Sequence, residues 1–292
     1  MRRLFVVLMI AALMAASGCD SSKSGKTPVT PSVKYPKIII LIWNIQNGMW
    51  ADQGNNYDNF VAWVKSYNPD VCIWCEAKSN YKTDLKQSIP SGQNYLPDGW
   101  GELAKRYGHD NWSKGGHRDN FPQVITSKYP IETVQKIIGN QADTVVSHGA
   151  GHFRITIEGK EITYICEHTI GKSADPQSEW WLMAGDFNAQ SSLDNQKYNY
   201  ALSDTRFLVH DYVLEETPYK DVINEKHKGE FLSTTSGTSR IDFAYCSPAM
   251  MENVTYADVI KDWWVGSIIK DEATGFKRPS DHRPLLLQVR MK

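Results

Sequence analysis

Short, nearly continuous apolar runs recur along the chain, and each is closed by polar residues. "KIIILIW" (residues 37–43) is apolar at almost every position, the pattern of a strand covered on both faces. "VCIW" (71–74) repeats it, and further runs at 123–126, 145–147, 152–157, 162–166, 180–184, 241–245 and 285–289 predict more strands. Between the first two, Tyr57, Phe60, Val61, Val64 and Tyr67 fall at helical spacing, and "NPD" stops the helix. A second helix is predicted over residues 79–89. No internal repeat and no linker-like stretch occurs beyond residue 37, so residues 37–292 read as one α/β domain rich in strands.

The polar residues that close the apolar runs carry the chemistry. The first run ends in Asn44, the second in Glu76, and "ITYIC" leads to Glu167 and His168. "WWLMA" ends in "GDFN", with Asp186 and Asn188; "SRIDFAY" carries Asp242 near its start; Asp281 and His282 precede the last run. Singly these are weak signals. Asn44 suits a turn, Glu76 suits a helix start, and His168 suits any strand end. Asp242 stands apart, because a carboxylate inside an apolar strand needs a partner or a metal. In "GDFN", Asp186 and Asn188 fall on the same side if the backbone stays extended.

Together the set has a defined chemistry. Glu76 with Asp281 or Asp186 offers hard oxygen ligands for Mg²⁺, Mn²⁺ or Ca²⁺. Such an ion offsets charge on a phosphoryl group. His282 can take a proton from an attacking water, with Asp242 holding its tautomer. Asn44, Asn188 and His168 can donate hydrogen bonds to phosphate oxygens.

Composition changes this picture little. The 292 residues are 41% hydrophobic and 22% charged, ordinary globular values. A formal net charge of -1 argues against a protein held to nucleic acid by a broad basic surface. The N-terminus changes more. Arg2, Arg3 and the apolar run to about Ala16 fit a secretory signal and are too short for a transmembrane span. "ASGC" resembles the bacterial lipoprotein signal, which implies a signal peptide over 1–18 and lipidation of Cys19. The Ser-, Lys- and Pro-rich stretch over 19–36 reads as a tether. The protein is then expected to be exported and anchored to a cell-envelope membrane, periplasmic or surface-facing. "CIWC" has the spacing of a redox or zinc half-site, but no second pair exists, and residues three apart on a strand face opposite ways. Buried structural thiols are the expectation.

"IWNIQNG", "DVCIWCEAK", "FPQVITSKYPI", "ICEHT", "MAGDFNA", "SRIDFAY" and "PSDHRPL" occur in this order, and the ordered set resembles the endonuclease/exonuclease/phosphatase superfamily from about Lys37 to Lys292. The resemblance implies a four-layer α/β sandwich, with two central, mostly antiparallel β-sheets flanked by helices. It implies Glu76 as principal metal ligand, with Asn44 and Asp281 close to the metal. It implies His282 as general base, Asp242 as its partner, and Asp186 as the residue that orients the nucleophile or assists the metal. Asn188 and His168 would contact the scissile phosphate.

Two departures stand out. "TIGKSADPQSE", between His168 and Asp186, is too short for the full helix that family members usually place there. "YGHDNWSKGGHRDNFP" reads as a loop, with His109 and His117 as surface histidines and Arg118 matching no motif. The implied activity is metal-dependent phosphoester hydrolysis of nuclease or phosphodiesterase type. A sphingomyelinase-like headgroup hydrolase, an inositol- or sugar-phosphate phosphatase, and a non-catalytic binding protein on the same scaffold are the alternatives. Substrate partners would be nucleic acid, a phospholipid headgroup or a small phosphate ester. "KDWWVGS" could form an aromatic membrane-entry hairpin, although tryptophan more often packs in a core or pocket wall.

Overall fold

The computed structural model describes residues 34–78, 99–116, 121–138, 149–166, 179–266 and 278–292. The expected strand at 145–147, the helix at 79–89, the segment after His168, His168 itself, His117, Arg118 and Cys19 lie outside them. Residues Tyr35–Lys292 gather into one unit.

Among the described residues, twelve strands form two six-stranded sheets. They are β1 (Lys37–Asn44), β2 (Val71–Cys75), β3 (Asn111–Lys114), β4 (Val124–Ser127), β5 (Glu132–Ile137), β6 (Ala150–Ile157), β7 (Lys160–Cys166), β8 (Trp180–Asp186), β9 (Lys220–Asp221), β10 (Asp242–Cys246), β11 (Val254–Val259) and β12 (Leu285–Arg290). One sheet runs β11-β12-β1-β2-β4-β3 and the other β5-β6-β7-β8-β10-β9. The β1–β2 and β7–β8 pairs are parallel, and the other pairs are antiparallel. Helices flank the sheets, giving the α/β sandwich.

The nearly unbroken apolar runs are explained by two-sided burial. Along β1, Ile38, Ile40 and Ile42 pack in the core between the sheets, against Phe153, Ile155, Tyr164, Leu182 and Ala244. The alternate residues Leu41 and Trp43 face outward, toward Phe60, Trp63 and Val64 of the helix Asp58–Tyr67 and toward Leu103 and Tyr107 of the helix Trp100–Tyr107. On the second sheet, Trp181, Met183, Phe243 and Tyr245 meet Val213 of the helix Leu208–Glu216. The strand "VCIWC" is buried throughout, and Cys72, Cys75, Cys166 and Cys246 are all buried, as structural cysteines would be.

Three sequence expectations need correction. His109 is fully buried rather than on the surface. One ring nitrogen meets Thr126 Oγ1 at 2.8 Å and the other the Pro69 carbonyl at 2.8 Å. Its polar neighbours in sequence masked a position that closes over β4. "KDWWVGS" splits: Trp264 packs on Trp43 and Trp63, while Trp263 is 80% exposed. Finally, β3, β5, β9 and β11 carry no apolar run; β5 reads "ETVQKI" and is almost wholly exposed, so burial leaves no mark on it.

Candidate active site

The topology brings one end of both sheets together. Asn44 ends β1, Glu76 comes directly after β2 and Asp186 ends β8. Because β10 runs antiparallel to β8, its first residue, Asp242, stands directly opposite Asp186. Likewise β12 runs antiparallel to β1, so His282, just before β12, arrives beside Asn44.

Asn44 is the hub of the oxygen side. Its buried side-chain amide donates to Asp186 Oδ2 at 2.9 Å and to Glu76 Oε1 at 3.1 Å. The other Glu76 oxygen accepts from the Asn47 backbone N–H at 3.0 Å. That N–H is delivered by an unusual turn: Gln46, Asn47, Gly48 and Met49 all have φ between 48° and 65°. Such left-handed backbone costs an L-residue roughly 1–2 kcal/mol, and Glu76 itself has φ 51°. Burial raises the Glu76 carboxyl above its ordinary value, opposed by the bonds from Asn44 and Asn47. The strain and the hydrogen bonds together fix this carboxylate in place.

The proton side is equally fixed. His282 Nδ1 meets Asp242 Oδ2 at 2.9 Å, and both residues are buried. The other ring nitrogen, Nε2, lies 3.9 Å from Asp186 Oδ2 and 3.9 Å from Asp281 Oδ1. Burial works against the charged ring, but the carboxylates of Asp242, Asp186 and Asp281 outweigh it and push His282 up to about 10. Burial likewise lifts Asp242, to about 6, against the pull of His282. The direction for the pair is clear: the ring keeps its proton at neutral pH while those carboxylates are uncompensated.

The remaining candidates fall around this pair of clusters. Asn188 does not continue β8; its φ of 47° turns the chain back, so its backbone N–H and side-chain amide both donate to Asp186, at 2.9 and 3.3 Å. The extended-backbone condition set for Asp186 and Asn188 is therefore not met, yet a turn brings the two together. Asp281 is exposed and its side chain faces the His282 ring.

Ser280 and Arg240 carry no signal of their own in the sequence. The Ser280 hydroxyl donates to the Asn44 carbonyl at 2.7 Å and accepts from the His282 N–H at 3.0 Å, tying the two sides together. Arg240, two residues before Asp242, is buried between Asp194 and Asp221, each 2.7 Å away. A small serine and a basic residue beside a strand look like ordinary loop chemistry until their partners are seen.

A metal fits this donor set. Asp186, Asp242 and His282 offer atoms within 4.8 Å of one another. However, the His282–Asp242 contact is itself a hydrogen bond, so that pair is matched to a proton. The carboxylates converging on Asn44, from Glu76 and Asp186, are the hard oxygen donors that Mg²⁺ or Mn²⁺ takes.

The chain matches the model of the Endonuclease/Exonuclease/phosphatase family over residues 41–282, and it belongs to that family. Its members are phosphoester hydrolases that depend on divalent metal. Among solved structures it is similar to an AP endonuclease from Archaeoglobus fulgidus, at 16% identity and TM-score 0.58, covering 87% of this chain and 100% of that one. It is also similar to a 3′ phosphatase from Neisseria bound to a product DNA hairpin, at 16% identity and TM-score 0.53, covering 86% of this chain and 99% of that one. A family protein from Bacteroides thetaiotaomicron gives 16% identity and TM-score 0.55, covering 89% and 99%. At such identities the likeness carries the fold. No curated protein matches the chain.

Proposed function

We propose that the protein is a divalent-metal-dependent phosphodiesterase in which His282 activates water. The observation that carries this is the buried His282–Asp242 pair set against the Glu76–Asn44–Asp186 cluster. Asp242 occupies Nδ1, so the neutral ring presents Nε2 as its basic nitrogen. A hard divalent cation held by Glu76 and Asp186, with Asp281 near, would polarise a phosphoryl oxygen and offset the carboxylates that keep His282 protonated. His282 Nε2 takes the proton of the attacking water as oxygen bonds to phosphorus and the ester P–O bond breaks. Asn188 and the amide of Asn44 orient Asp186, and His168 assists at the phosphate.

Nucleic acid is the favoured substrate class, supported by the AP endonuclease and the DNA-bound phosphatase among the similar structures. A phospholipid headgroup is the second reading, supported by the 80% exposed Trp263. We also propose export and lipid anchoring through Cys19, which rest on the N-terminal sequence. The mass of the processed N-terminus checks them, and an unmodified, uncleaved Met1 would overturn them. The function is tested with a chromogenic phosphodiester, DNA, RNA and sphingomyelin, each with Mg²⁺ or Mn²⁺ and with chelator. Metal-dependent release from a diester is the expected result. Equal rates in chelator would contradict the reading.

A further inference from the structure

We propose that Thr234 is a positioning residue that holds Asp242, at the start of β10, opposite His282. This rests on the roles proposed above for those two residues. Thr234 is fully buried in a stretch, "STTSGTS", with no apparent chemistry of its own. Its hydroxyl oxygen accepts the backbone N–H of Ile241 at 3.0 Å and that of Asp242 at 3.1 Å. A hydroxyl oxygen has two lone pairs, so these two bonds use its whole accepting capacity.

The same segment holds the base. The Thr234 carbonyl accepts from the Arg283 N–H at 2.7 Å, Thr235 pairs with His282 in an isolated bridge, and the Ser236 N–H donates to the Asp281 carbonyl at 2.6 Å. Residues 234–236 thus run alongside residues 281–283 while the Thr234 hydroxyl caps the start of β10. Acid and base come from different sheets, and one short segment fixes both. Losing the hydroxyl leaves the backbone N–H groups of Ile241 and Asp242 without that partner, and the start of β10 loses its fixed place beside His282.

Thr234→Val keeps the shape and removes the hydroxyl; Thr234→Ser keeps the hydroxyl. With saturating Mg²⁺ and a chromogenic phosphodiester, Thr234→Val is expected to lower kcat about 10- to 100-fold with KM little changed. Thr234→Ser is expected to stay within about threefold of wild type. In an Asp242→Ala background the same Thr234→Val change should cost less than about twofold, because the residue acts through Asp242. Equal losses in both backgrounds would overturn the proposal and leave Thr234 a structural residue. If Thr234→Val does not fold, Thr234→Ala is read in the same way.

A second readout does not need turnover. The His282 Nδ1–H proton resonance, assigned by its loss in His282→Ala, should shift in Thr234→Val and hold in Thr234→Ser. No shift in Thr234→Val would overturn the positioning role even if no phosphoester is hydrolysed. An inactive wild type with the shift present would overturn only the proposed function.

Discussion

At the scale of single residues, one hydrogen-bonded trio and one pair make up the candidate site. Asn44 gives one amide to two carboxylates, and His282 gives one ring nitrogen to Asp242. These residues were legible in the sequence because each breaks an apolar run where a polar group must be satisfied. Ser280, Thr234 and Arg240 were not, because serine, threonine and a charged residue beside a strand are common, and only their partners distinguish them. His109 was illegible for the opposite reason: its burial comes from β4, far from it in sequence. Glu76 gives a direct test. Glu76→Gln keeps the side chain's shape, keeps one of the two hydrogen bonds accepted from Asn44 and Asn47, and removes the charge, so it should raise the Mg²⁺ needed for half-maximal activity about 10- to 100-fold. An unchanged metal titration would mean that the ligand is elsewhere.

Elements position these residues by their ends. The polar residues at the ends of β1, β2 and β8 and at the starts of β10 and β12 meet because the sheets stack with those ends aligned. The strands were predictable from two-sided burial, whereas β5 and β11, with polar faces, were not. The loops between the elements are held by specific charges. Arg240 joins Asp194, in the loop after β8, to Asp221 at the end of β9, and its guanidinium stacks 4.3 Å from the Phe243 ring. Arg240→Ala strands two buried carboxylates and should lower stability by about 3–5 kcal/mol in urea unfolding. A loss under about 1 kcal/mol would mean that the loops hold without it.

Across the whole molecule, buried neutral imidazoles make the fold sensitive to acid. Burial holds His109 down to about 4 and His210 down to about 3, against an ordinary value of 6.5. The sign is set by linkage: below 6.5 the unfolded chain binds protons that the folded one refuses, so stability falls as pH drops. The contribution of His109 is full above 6.5 and is lost progressively toward about 4. Removing this imidazole in His109→Gln forfeits its two hydrogen bonds but also that acid penalty. The gap in melting temperature between wild type and His109→Gln should therefore narrow from pH 6.5 to pH 4. A constant gap would show that the ring titrates alike in both states.

The role proposed for His282, oriented by Asp242, is to move the proton of the attacking water. Its most direct test is kcat of His282→Ala on a chromogenic phosphodiester at saturating Mg²⁺, with folding verified by circular dichroism. The expected result is a loss of about 10²- to 10⁴-fold with the fold intact. Wild-type turnover in a folded His282→Ala protein would overturn that role.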